Sequence, residues 1–205
     1  MLEAVALFQQ ALDERGLRMV LVGGSAVAAW DPAGYVSLDI DLVGTGLQVE
    51  LDQVFVGEFG FARLGRHWYD ERLALAVQCP GTSLDPPGAA VAEIPTPSGA
   101  VVMVIAIEDL ILDRARQWEA TGAYDGWVQA ARLDARQLVD RDRLDRRATE
   151  VGVDGALAVV RWLAGEHRAG RVIDSPETHA AQRGYLRSGV EGARRGVEVR
   201  RAGDV

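Results

Sequence analysis

Residues 21–43 read LVGGSAVAAWDPAGYVSLDIDLV, and no other stretch constrains the fold as tightly. An apolar run enters Gly23-Gly24-Ser25, a short helical segment follows and is stopped by Asp31-Pro32, and a second apolar run carries Asp39 and Asp41. Strand side chains alternate between faces, so Asp39 and Asp41 share one face. Leu38, Ile40 and Leu42 are expected on the other, pointing into a core. Two adjacent carboxylates repel each other, and a divalent cation is the usual relief. A ligand set made only of oxygens favours Mg²⁺ or Mn²⁺ over zinc. Gly-Gly permits close backbone approach and positive φ. Ser25 and the amides after it would open a helix, whose N-terminus attracts phosphate. One segment thus offers a phosphate cradle and a two-carboxylate metal site. Each half alone has a plainer reading, as an ordinary strand-to-helix turn or a solvated strand face.

The remaining periodicities give the frame. Residues 2–15 read as a helix, with Leu2, Val5, Phe8 and Leu12 at helical spacing and Gly16 at its end. Strands are expected over 17–22 and 36–43, with a short helix over 25–30 between them. A helix over 47–58 follows. Two strands over 61–68 and 73–78 are expected to join at Tyr69-Asp70-Glu71-Arg72. After a Pro- and Gly-rich loop over 80–88, a hairpin over 91–94 and 100–105 closes the sheet. These elements predict an α+β fold with a mixed, mostly antiparallel sheet and flanking helices. From 107 onward the pattern turns helical, over 107–119, 124–140, 143–150 and 154–166. The expected organisation is an α/β core over 1–106, a helical part packed on it over 107–172, and a weakly ordered tail over 173–205.

Composition narrows the partners. The chain has 205 residues and a formal net charge of −8, so no global positive field gathers nucleic acid. Its single cysteine, Cys79, permits no internal disulfide. That fits a reducing cytoplasm, as does an N-terminus without a basic leader. No apolar run approaches the roughly 20 residues of a membrane helix. The arginines between 132 and 147 alternate with Asp134, Asp140, Asp142 and Asp145, the pattern of a salt-bridged face. His67, His167 and His179 are too scattered for a zinc site.

Gly23, Gly24 and Ser25, followed by Ser37, Asp39, Ile40 and Asp41, resemble the nucleotidyltransferase superfamily that includes DNA polymerase beta. HWYDERLALAVQCP and IEDLILDRARQW resemble small bacterial members of it, some linked to toxin–antitoxin systems. The resemblance implies the nucleotidyltransferase fold and transfer of a nucleoside monophosphate from an NTP to a hydroxyl of a protein, RNA or small molecule. It implies that Asp39 and Asp41 are catalytic and hold Mg²⁺ or Mn²⁺, and that Gly23, Gly24 and Ser25 hold the nucleotide's phosphates. Arg66, next to the expected hairpin, would reach the triphosphate. Arg114 lies where a basic residue faces the family's cleft.

One position departs from the pattern. The third carboxylate of such sites falls at Gln78 here, and glutamine is neither a base nor a charge. Asp70, Glu71, Asp85 and Glu93 lie near enough in sequence to substitute. The alternative is a catalytically degenerate protein acting as a binding or regulatory partner, such as a component of a toxin–antitoxin pair. Trp118, Trp127 and Trp162 would then be candidates for a partner surface, with core packing as their ordinary role.

Overall fold

The first helix, Leu2–Asp13 (α1), forms because Val5, Phe8 and Leu12 recur on one side, and all three are buried. The computed structural model describes residues 1–122, 124–136, 138–175, 180 and 184. They divide into two units, Met1–Leu110 and a second that begins at Ile111.

The first unit is built on one seven-stranded sheet. Its strands are Met19–Val22 (β1), Asp39–Gly44 (β2), Ala62–Leu64 (β3), His67–Asp70 (β4), Leu75–Gly81 (β5), Val91–Pro95 (β6) and Val101–Ile105 (β7). Their order is β3-β4-β5-β2-β1-β7-β6. The β1–β7 and β2–β5 pairs are parallel and the rest antiparallel, so the sheet is mixed and mostly antiparallel, as the sequence predicts. Leu21, Ile40, Leu42, Trp68 and Val77 share one face by register, and all are buried. Phe8 meets Phe55, Phe59 and Phe61 edge-on, and Phe55 lies 4.8 Å from Trp68. Apolar area and ring geometry both stabilise this core. Gln9, buried on α1, donates to the carbonyls of Met19 (3.0 Å) and Met103 (2.8 Å) and accepts from the Met103 amide. It thereby satisfies backbone groups of the adjacent β1 and β7.

Four expectations shift. The strand expected over 36–43 begins only at Asp39, and Leu38, expected in the core, is 72% exposed. The strand expected over 61–68 is instead a hairpin, because Gly65, at φ +62, turns the chain between β3 and β4. The connection expected at 69–72 moves to 71–74. Asp70 stabilises it by accepting from the amides of Arg72 (2.8 Å) and Leu73 (3.1 Å). The helix expected over 47–58 is one turn of α-helix, Gln48–Asp52 (α3), that widens into a π-type turn over Gln53–Glu58.

In the second unit, Ile107–Thr121 (α4), which starts within the first, is followed by Tyr124–Asp134 (α5), Arg141–Val151 (α6) and Asp154–Arg168 (α7). Trp118 and Trp127 are fully buried with ring centroids 4.0 Å apart, so they are core residues and not a partner surface. Trp162 is half-buried. The helix expected over 124–140 stops at Asp134, and Asp140 instead caps α6 by accepting from the Arg143 amide. The arginine-rich stretch is salt-bridged as expected, through pairs such as Arg161–Asp145 (2.6 Å) and Arg147–Glu150 (2.7 Å). The side chain of Asp134 is fully buried and paired with Arg141. Most of the tail predicted over 173–205 lies outside the described residues. Among the described residues, no helix is long and apolar enough to cross a membrane.

Candidate functional site

The paired aspartates stand near the middle of the sheet. Asp39 is opposite Ala76, and Asp41 is opposite Gln78 on one side and Val22 on the other. Residues opposite each other across a ladder point to the same face. The face of Asp41 therefore carries a row Asp41, Gln78, His67, Leu64, and beside it a row Asp39, Ala76, Tyr69, Ala62. Asp39 and His67 are exposed, and Asp41 and Gln78 are half-buried.

Asp41 is held on several sides. Helix Gly23–Trp30 (α2) starts directly after β1, two residues earlier than the sequence suggests. Gly23 has φ +63, and a side chain there would place its Cβ 2.2 Å from Asp41 Oδ2. The glycine thus makes room for the carboxylate, which lies against the positive end of α2. The buried Ser25 hydroxyl donates to the Val22 carbonyl (2.8 Å) and accepts from the Asp41 amide (3.1 Å). Its oxygen braces the strand–helix junction, and the sequence alone gave no sign of that role. Over Gly24 stand the Tyr35 and Ser37 hydroxyls, 3.2 and 3.4 Å from where a Cβ would lie. Nothing in the sequence pattern singled out Tyr35.

Gln78 occupies the place the sequence assigned it, on β5 beside Asp41, and its Nε2–H donates to Asp41 Oδ1. None of the four acids offered as substitutes joins this cluster. Asp70 lies on the Trp68 face, tied to the Arg72 guanidinium, whose hydrogen bond holds its carboxyl below the usual range. Glu71 sits in the exposed 71–74 turn and Asp85 in the exposed loop after β5. Glu93 is on β6, which β7 and β1 separate from β2. Among the described residues, no group of three or more His, Cys, Asp or Glu side chains is placed to hold a metal. Arg66 is at the exposed tip of the β3–β4 hairpin, next to His67, which lies in the same row as Gln78 and Asp41. Arg114 pairs with its neighbour Asp113 (Nε to Oδ2, 2.8 Å).

Past Gln78 the ladder slips. β5 uses three residues from Gln78 to Gly81 where β2 uses two from Asp41 to Val43. The bulge falls at Cys79-Pro80, where a proline without an N–H costs the ladder least. Burial and the nearby Asp41 charge push the Cys79 thiol up to about 12.

The donor set suits one hard divalent cation. Asp39 and Asp41 offer carboxylate oxygens on one face, next to a helix N-terminus fit for phosphate. It does not match a three-carboxylate, two-metal site, because the third position donates a hydrogen bond.

The mixed sheet in this order, with a Gly-Gly-Ser junction packed against a strand bearing two aspartates, is an α+β arrangement of the nucleotidyltransferase-fold type. No family model matches the chain, and no curated protein sequence does. Among solved structures it is similar to the solution structure of the antibiotic-resistance factor ANT(2'')-Ia. The TM-score is 0.50 and the identity 21%, covering 82% of this chain and 95% of that one. It is also similar, at a TM-score of 0.47 and 19% identity, to a crystal structure of ANT(2'')-Ia with adenylyl-2''-tobramycin, over 80% of this chain and 99% of the other. The first likeness supports the fold assignment.

Proposed function

We propose that the protein is a nucleotidyltransferase, moving a nucleoside monophosphate from an NTP to a hydroxyl of a small molecule, protein or RNA with Mg²⁺ or Mn²⁺. The observation that carries this reading is the contact of the Asp41 carboxylate with Gly23, which puts a cation ligand and a phosphate-binding helix end side by side. Asp39 and Asp41 would hold the cation. Once bound, it would neutralise triphosphate charge and polarise the reacting phosphoryl group. The backbone amides of Gly24 and Ser25 would orient the phosphates, and the Ser25 hydroxyl keeps that junction rigid against Asp41. Arg66, at the tip of the β3–β4 hairpin beside His67, would reach toward the triphosphate from that side of the row.

Gln78 favours a second reading, a protein that keeps the nucleotide site and acts through a partner, as in a toxin–antitoxin pair. Incubation with NTPs labelled at the α-phosphate and a panel of hydroxylated acceptors, including aminoglycosides, tests the first. Label transfer with release of pyrophosphate, abolished in Asp39→Asn/Asp41→Asn, supports it. Transfer that survives both substitutions refutes it. Nucleotide binding without transfer, together with a stoichiometric co-purifying protein, supports the second.

A further inference from the structure

We infer that the site binds one divalent cation with its nucleotide, where the three-carboxylate form of this fold binds two, because Gln78 fills the third ligand position with a hydrogen-bond donor. This rests on the nucleotide-site reading above. An ionised carboxylate can only accept, so the amide facing Asp41 must present its NH₂. The observed donor is indeed Nε2, to Asp41 Oδ1. That orientation turns Oε1 away from Asp41 and directs the positive end of the amide dipole at the carboxylate. A second cation here would displace this donor and gain no negative charge in exchange. On the other side Asp41 Oδ2 abuts Gly23, so the carboxylate has no space to swing toward α2.

Among the described residues no other acid compensates. Asp70 faces the opposite side of the sheet, and Glu93 stands beyond β1 and β7. Two carboxylates carry a formal charge of −2, enough to offset one divalent cation. Two cations would depend on the triphosphate for the remainder, with a neutral amide between them.

Mn²⁺ counted by equilibrium dialysis with the non-transferable analogue α,β-methylene-ATP tests the inference. Electron paramagnetic resonance on the same samples reports whether two Mn²⁺ ions are spin-coupled. The native protein should hold one Mn²⁺ per bound nucleotide, with no Mn–Mn coupling. Gln78→Asp should hold two and show coupling, and Gln78→Glu serves equally should the first variant fold poorly. Two coupled ions in the native protein would overturn the inference while leaving the nucleotide site intact. So would a count of one in both folded variants. Absence of any nucleotide-dependent Mn²⁺ binding in the native protein would overturn the nucleotide-site reading and, with it, this inference.

Discussion

Gln78 on β5 donates its Nε2–H to Asp41 Oδ1 on β2, across a parallel pair in which the two residues stand directly opposite. Asp41 also faces the start of α2 and has its own amide held by Ser25. It is therefore oriented without a cation, by a helix end, an amide and a hydroxyl. A ligand fixed before its cation arrives loses less freedom on binding.

Gly23 has little freedom to change. Gly23→Ala would put a Cβ into positive φ and within 2.2 Å of Asp41 Oδ2. The backbone strain alone costs roughly 1–2 kcal/mol, and the clash adds to it. Thermal melts should show destabilisation of more than about 2 kcal/mol, and any folded remainder should bind MgATP weakly. Wild-type stability and affinity would mean that the junction is looser than this geometry.

Much of this site is legible in the sequence because it depends on strand parity and local turn chemistry. Asp39 and Asp41 share a face by alternation, and Gln78 falls beside Asp41 as the motif implies. What the sequence hides is tertiary. Nothing local says that the Ser25 hydroxyl spends itself on Val22 and Asp41, or that Gly23 is needed for the bulk of the Asp41 carboxylate, far along the chain. The turn at Gly65, which sets Arg66 beside β4, is likewise unmarked by the apolar runs, which read 61–68 as one strand. Leu38 fits the apolar alternation of β2, yet the ladder starts one residue later and leaves it exposed.

Cys79 gives a chemical probe of Asp41. Its thiol is pushed up to about 12 from 9.0, by burial and by the Asp41 charge. Thiolate is the reactive form, so its fraction at mildly alkaline pH falls about a thousandfold, and higher intrinsic nucleophilicity offsets only part of that. Ellman's reagent at pH 8 should react at least about tenfold more slowly than with an exposed cysteine. Asp41→Asn removes the repelling charge and should accelerate the reaction. A native rate equal to that of an exposed thiol, or no change in Asp41→Asn, would contradict this placement.

In the second unit, burial raises the Asp134 carboxyl, while Arg141, Arg161 and Arg168 pull it back down. Arg141→Ala removes the strongest of those pulls and leaves the acid higher still. A carboxyl raised in the folded state holds its proton more tightly there than in the unfolded chain. Its favourable contribution is therefore present at low pH and lost as pH rises through the raised value. Arg141→Ala should cost about 3 kcal/mol at neutral pH, and the deficit should shrink on acidification. Melts across pH 4–8 read both features, and a pH-independent deficit would show that Asp134 stays ionised throughout.

Calorimetric titration with ATP, with and without Mg²⁺, on the native protein and on Asp39→Asn/Asp41→Asn, tests the nucleotide site most directly. The geometry of Asp41, Gly23 and the α2 N-terminus predicts Mg²⁺-dependent binding in the native protein, lost in a variant that melts normally. Binding that ignores Mg²⁺, or that persists without both carboxylates, would contradict it.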